Sequence, residues 1–198
     1  MKFYRSLLAT LFFLAVVVCT YYLHVTFFRV DVVFYSAIAD GVLATAMSAL
    51  VLFGWRYFAI FSAFEKLQLA FIWFLIGYIL AISVPTVIDR SLSFYILEKL
   101  QQRGGGIQLA KFEEVFTKEY VKEQRLVDVR LTEQQESGTI KIENGCVKLT
   151  PRGNKLATFS RFFRQHLLPK QRLLMGKYSD DLTDPFRNSK RSSNYECK

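Results

Sequence analysis

Three apolar stretches dominate the first half of the chain. Residues 6–28 are 23 positions without a formal charge, residues 32–55 are 24 positions whose one charge is Asp40, and residues 67–88 are 22 positions without a charge. A helix rises ~1.5 Å per residue, so about 20 mostly apolar residues cross ~30 Å of hydrocarbon. All three stretches meet that length. Only helices and closed barrels satisfy every backbone polar group in lipid, and continuous apolar runs rather than ten-residue alternation point to helices. The charge distribution agrees. Of 26 Lys/Arg and 17 Asp/Glu in 198 residues, only five and three fall in residues 1–88. The first part is too apolar for a soluble fold and the second too charged for a bilayer. A simple soluble enzyme, an all-membrane bundle and a disordered chain are thereby excluded.

Lys2 and Arg5 precede the first stretch as in a signal sequence, but 23 uncharged residues is long for an h-region and no small-x-small site follows closely. An uncleaved anchor is expected. Tyr21, Tyr22 and Phe27, then Trp55 and Tyr57, stand where interfacial aromatics belong. The connection 56–66 carries Phe58, Ile60, Phe61 and Phe64 and can lie in the headgroup layer. Lys2, Arg5, Arg56 and Lys66 share one side of the membrane; Arg29, Arg90, Lys99 and Arg103 share the other. That balance gives no orientation by the positive-inside rule.

Asp40 is the one ionisable group deep in a span. A charge there is expensive in lipid and marks either a proton or ion site or a group hydrogen-bonded between helices. Gly41, Ala44, Ala46 and Ser48 give the same span a small-residue surface for close helix approach. Asp40, Gly41, Ala44 and Ser48 are therefore candidates for docking a partner within the membrane.

Beyond residue 88 the pattern changes. Asp89 or Ser91 can cap a helix with Leu92, Tyr95, Ile96 and Leu100 on one face, ended by Gly104, Gly105 and Gly106. Residues 110–121 and 126–135 read as two more helices. Residues 139–149 read as two alternating strands around Asn144-Gly145, the strongest two-residue hairpin signal. Folding about it pairs Ile142 with Val147 and Ile140 with Leu149 on one face and sets Lys141 against Lys148 on the other. Thr150 then caps, and Pro151 opens, a helix with Leu156, Phe159, Phe163 and Leu167 on a stripe.

The run from Val129 to Ile140, followed by Val147-Lys148-Leu149-Thr150-Pro151-Arg152-Gly153, resembles the winged-helix regulators over about residues 91–168. That family has a recognition helix ending in Gly before an apolar strand, and a returning strand ending Leu-Thr-x-x-Gly. The resemblance implies a winged-helix fold and DNA binding. The charges depart from it. The third helix carries Asp128, Glu133 and Glu136 against Arg130, and residues 89–155 hold 12 basic against 10 acidic residues. A phosphate wall is met by basic groups, and no such footprint is present. Arg130, Glu133, Gln134 and Glu136 are candidates for a protein-facing surface instead.

Residues 156–198 carry nine Lys/Arg against four Asp/Glu. Arg161, Arg164, Lys170 and Arg172 alternate with apolar residues, the composition of a segment lying on an anionic leaflet or a partner. Pro169 breaks any helix there, and residues 188–198 read as disordered. Asp180-Asp181-Leu182-Thr183-Asp184 has the Asp-Asp-x-x-Asp spacing that holds magnesium against pyrophosphate, but it lacks a second acidic cluster and reads as a solvated turn. Cys19, Cys146 and Cys197 are widely spaced and odd in number, fitting a reducing side. No phosphate-cradling loop, nucleophile–base pair or cofactor motif is present.

The expected architecture is mainly α. A three-helix membrane anchor (1–88) is followed by a small α/β winged-helix-like cytosolic domain with one hairpin (89–168) and a basic tail (169–198). The expected role is a non-enzymatic accessory or scaffold subunit of a multi-pass membrane complex. Its partners would be the bilayer and another membrane protein, or a second copy; an enzyme handling lipid-linked glycan is one partner class. A membrane-tethered transcription regulator, and a small transporter or lipid-processing enzyme, are the alternatives.

Overall fold

In a computed structural model the chain is mainly helical, and residues 2–187 together with Cys197 are described. It divides into two compact units, Met1–Val115 and Phe116–Lys198. The tail expected to be disordered, residues 188–198, lies outside the described residues except for Cys197.

The first unit is built on three long helices, α1 (Lys2–Phe27), α2 (Val33–Gly54) and α3 (Ala63–Ala81). The third continues through a π-helical turn, Ile82–Thr86, into Val87–Arg90. All three are long and apolar enough to cross a membrane, as the uncharged stretches predict. Their outer surfaces are apolar: Leu7, Leu11, Leu43, Leu50, Phe71 and Ile79 are all exposed. The core is thin and made of close contacts. The Phe13 and Trp73 rings stack at 5.5 Å, and the Trp73 indole N–H donates to Thr10 Oγ1 at 3.1 Å. Such a bundle turns its few polar groups inward and leaves its apolar side chains outside.

The α2–α3 connection, expected to lie in the headgroup layer, is compactly folded. It holds a short 3₁₀ turn, Arg56–Phe58, with Phe58 and Phe61 buried. Arg5 donates to the Tyr57 carbonyl at 2.6 Å and lies over the Tyr57 ring. Ser62 and Glu65 form a reciprocal capping box at the start of α3, and Lys2 pairs with Glu65 at 2.8 Å. Two of the four basic residues expected on one membrane side, Lys2 and Arg5, thus bond to this connection. After the bundle, α4 (Leu92–Gln102) is capped by the Ser91 side chain. It ends through Gly104 and Gly105 at positive φ, the Gly105 N–H returning to the Leu100 carbonyl at 2.8 Å.

Residues 109–123 are helical throughout but include a π-helical stretch, Val115–Tyr120. The boundary between the units falls inside this segment, not at residue 88. In the second unit α5 (Leu126–Glu136) leads into β1 (Ile140–Glu143), β2 (Cys146–Leu149) and α6 (Pro151–His166). The β1–β2 register pairs Ile140 with Leu149, Lys141 with Lys148 and Ile142 with Val147, as read from Asn-Gly. Asn144 and Gly145 both take positive φ, which the tight two-residue turn requires. A second hairpin, β3 (Arg172–Leu174) with β4 (Lys177–Ser179), occupies the region expected to be an irregular tail.

The start of α6 explains one residue of the Leu-Thr-x-x-Gly run. Thr150 caps α6 through the Gly153 N–H, and its hydroxyl also reaches the Gly138 and Thr139 carbonyls at 2.8 and 3.0 Å. This draws the first turn of α6 onto the chain before β1. A Cβ at Gly153 would lie 2.0 Å from the Thr139 carbonyl oxygen. Glycine is required by that contact. Gly153→Ala is therefore expected to cost about 1–3 kcal/mol, as overpacking typically does. Amide hydrogen exchange of the full chain should speed up across residues 139–153 and stay unchanged in α1–α3.

Candidate functional site

Asp40 sits two turns into α2 and is only 4% exposed. Its Oδ1 lies 2.7 Å from His24 Nδ1, near the end of α1. The helices are joined by a short loop and pack against one another. The pair satisfies one carboxylate oxygen. Asp40 Oδ2 is buried with no hydrogen-bond partner among the described residues.

The small residues beside Asp40 set the geometry. Gly41 and Gly77 bring the α2 and α3 backbones together, and a Cβ at either would come within 3.2 Å of the other's backbone. Beyond this contact, toward the α1–α2 loop, the helices part around a cavity of about 300 Å³ lined by Val17, Tyr21, Ala37, Asp40, Leu80 and Val84, among others. Its α3 wall includes Pro85 within the π turn. Proline cannot donate a backbone hydrogen bond, and the Thr86 hydroxyl donates to the Ala81 carbonyl at 2.8 Å. Such π turns widen a helix and recur at functional sites.

The face expected to dock a partner, Asp40, Gly41, Ala44 and Ser48, is buried within the bundle. Its neighbours are the chain's own helices, because close approach of α2 and α3 needs the same small residues that a partner would need.

The remaining candidates lie in the second unit. Arg130 pairs with Glu133 at 2.8 Å along α5, while Gln134 and Glu136 are exposed. Lys141 and Lys148, opposed across the hairpin, both reach Glu143, at 3.1 and 3.5 Å. The Lys141 hydrogen bond, with Lys148 beside it, holds the Glu143 carboxyl below the usual range. Arg161, Lys170 and Arg172 are exposed and Arg164 is half-buried. Around them Phe159, Phe162, Leu173, Met175 and Tyr178 are also exposed. Between Glu143 and Asp180 the sequence holds eight Lys/Arg and no acidic residue.

The Asp-Asp-x-x-Asp run is organised around arginine. Arg187 bonds both oxygens of Asp180, at 2.9 and 3.0 Å, and also contacts Asp181. Ser179 also bonds Asp181. These bonds lower the carboxyl pKa of both residues: the Arg187 hydrogen bond is the main cause for Asp180, and the Ser179 bond followed by Arg187 for Asp181. Among the described residues no three His, Cys, Asp or Glu side chains are grouped to hold a metal. Cys146 and Cys197 meet as a disulfide with Cα atoms 5.9 Å apart across 51 residues of sequence. The pairing is at odds with the expectation, drawn from number and spacing, of cysteines on a reducing side. Comparisons with protein families, characterised proteins and solved structures find no match to this chain.

Two outcomes follow from this geometry. A double-mutant cycle of His24→Ala and Asp40→Ala, read by reversible unfolding in mixed micelles, should show coupling of about 0.6–2 kcal/mol, the range for interhelical polar pairs in membranes. In Arg187→Gln, the Asp180 and Asp181 titration midpoints should move up toward ordinary values in a carboxyl-carbon NMR titration. Lowered folded-state values mean that the contribution is present above the ordinary carboxyl range and is lost as pH falls through the depressed midpoints.

Proposed function

We propose that this chain is a non-enzymatic accessory subunit of a membrane complex. Its three-helix bundle is the anchor, and its second unit presents the docking surface on the cytosolic face. The observation that carries this reading is the acid-free stretch 144–179, in which eight basic residues stand among exposed aromatic and aliphatic side chains. Exposed apolar surface on a folded unit marks interaction sites. Its charge suits an acidic partner surface beside an anionic leaflet, where each basic residue near the surface adds ~1 kcal/mol.

The winged-helix likeness favours a tethered DNA-binding regulator as the second reading. Against it, the single basic residue of α5, Arg130, is paired with Glu133, Asp128 takes the preceding Arg125, and Glu136 is exposed, so this helix presents no spare basic group to phosphate. Protein recognition is the better use of this surface.

Tagged full-length protein, purified in mild detergent from its native membranes, is expected to bring down one partner in fixed stoichiometry. The triple variant Arg161→Glu/Arg164→Glu/Arg172→Glu should lose that partner at least tenfold. A homogeneous monomer from both forms overturns the reading, and salt-dependent duplex binding by the full chain replaces it with the regulator. Thiol state tests the membrane side. On the reducing side, Cys146 and Cys197 are a close dithiol that takes up maleimide directly in acid-quenched cells. Labelling that needs prior reductant places the unit on the oxidising side.

A further inference from the structure

We propose that the β3–β4 hairpin is a membrane-insertion element, whose apolar tip and apolar face enter an anionic phospholipid leaflet while its basic face stays at the phosphates. The hairpin stands nearly alone. Both of its faces are exposed, apart from half-buried Ser179 at the end of β4. Its base is tied by Thr183, whose hydroxyl donates to the Lys170 carbonyl at 3.0 Å. Two short strands without a covering layer are marginal in water, and so call for a cover.

The tip is apolar where a tight turn is ordinarily polar. Met175 and Gly176 both take positive φ. Glycine, asparagine and aspartate accept that conformation with least strain, and methionine gains nothing from it locally. Its side chain is instead 83% exposed, beside Leu174. An apolar side chain held out at the expense of backbone strain is placed for contact. The faces are sorted as well. The register sets Leu173 opposite Tyr178 on one face and Leu174 opposite Lys177, with Arg172, on the other. Leu173 and Tyr178 are both exposed. Arg172 and Lys177 have no ion pair among the described residues, whereas Asp180 and Asp181, which follow β4, are held by Arg187. Apolar tip, tyrosine and unpaired cations match the layers of a leaflet: acyl chains, interface and phosphates. A bilayer is also within reach, because the same chain carries three helices long and apolar enough to span one. The inference goes beyond the proposed docking role and does not need it. A partner can bind α6 with the hairpin in water, and the hairpin can insert with no partner present.

The test uses the full chain, with carbon-13 in the methionine methyls, in nanodiscs of phosphatidylcholine alone or mixed with phosphatidylglycerol. The chain has three methionines; loss of one signal in Met175→Leu assigns Met175, and Met47 in α2 is the standard for a methyl in lipid. With phosphatidylglycerol present, a nitroxide on the acyl chains should broaden the Met175 methyl at least fivefold more than in phosphatidylcholine alone. A water-soluble gadolinium chelate should lose its effect on that methyl by a similar factor. Arg172→Gln/Lys177→Gln should return Met175 to the phosphatidylcholine pattern, with Met47 unchanged. If that variant does not fold, the two-lipid comparison of the wild-type chain decides alone. A Met175 methyl open to gadolinium in both lipids, or shielded equally in both, overturns the proposal. So does one shielded from gadolinium yet untouched by the nitroxide, which reveals a protein cover. No partner enters these measurements, so their failure leaves the docking reading standing.

Discussion

Hydrocarbon offers no hydrogen bonds, and that constraint organises everything from Lys2 to Arg90. Polar side chains within the bundle turn to a neighbouring helix or to their own backbone, though Asp40 Oδ2 and the Ser48 hydroxyl have no partner among the described residues. Trp73 finds Thr10, Asp40 finds His24, and Thr86 covers the carbonyl of Ala81. The apolar side chains go outward instead, since lipid tails are as apolar as they are. The second unit answers to water. Its ion pairs, Arg130–Glu133 and Arg187–Asp180, lie at the surface, where each contributes little to stability and mainly sets local geometry.

Much of this was legible in the sequence, for identifiable reasons. Length and charge gaps locate spans well because the bilayer imposes a fixed thickness. Asn144-Gly145 located the first hairpin because few residue pairs accept two positive φ values. Ser91 and Thr150 marked helix starts through their hydroxyls. His24 as the partner of Asp40 was missed: His24 lies near the end of α1 and Asp40 two turns into α2, an offset that counting from the loop does not predict. The π turns at 82–86 and 115–120 have no sequence signature beyond Pro85 in the first. The second hairpin did have a signal, Met175-Gly176 at positive φ between short alternating runs, obscured by the basic composition around it. The Cys146–Cys197 pairing is long-range and invisible to spacing.

The small-residue face of α2 carries a wider lesson. Glycine, alanine and serine at helical spacing show that a backbone approaches closely, but not whose backbone it is. Here α3 supplies it, with Gly77 opposite Gly41. That face is consequently occupied within the bundle itself. On the proposed reading, the docking surface is instead the basic and aromatic one around α6 and the second hairpin, where apolar side chains are exposed.

The inward placement of Asp40 is the claim on which the anchor and the cavity both rest. Nitroxide labels placed singly along residues 33–54 in liposomes measure it directly through collision with oxygen and with a water-soluble nickel complex. Oxygen accessibility should oscillate with a period of 3.6 residues, lowest at 37, 41, 44, 48 and 52 and highest at 43 and 50, with the nickel complex excluded throughout. A flat oxygen profile, or nickel access along the middle of the segment, would contradict a helix packed in lipid with Asp40 turned toward its neighbours.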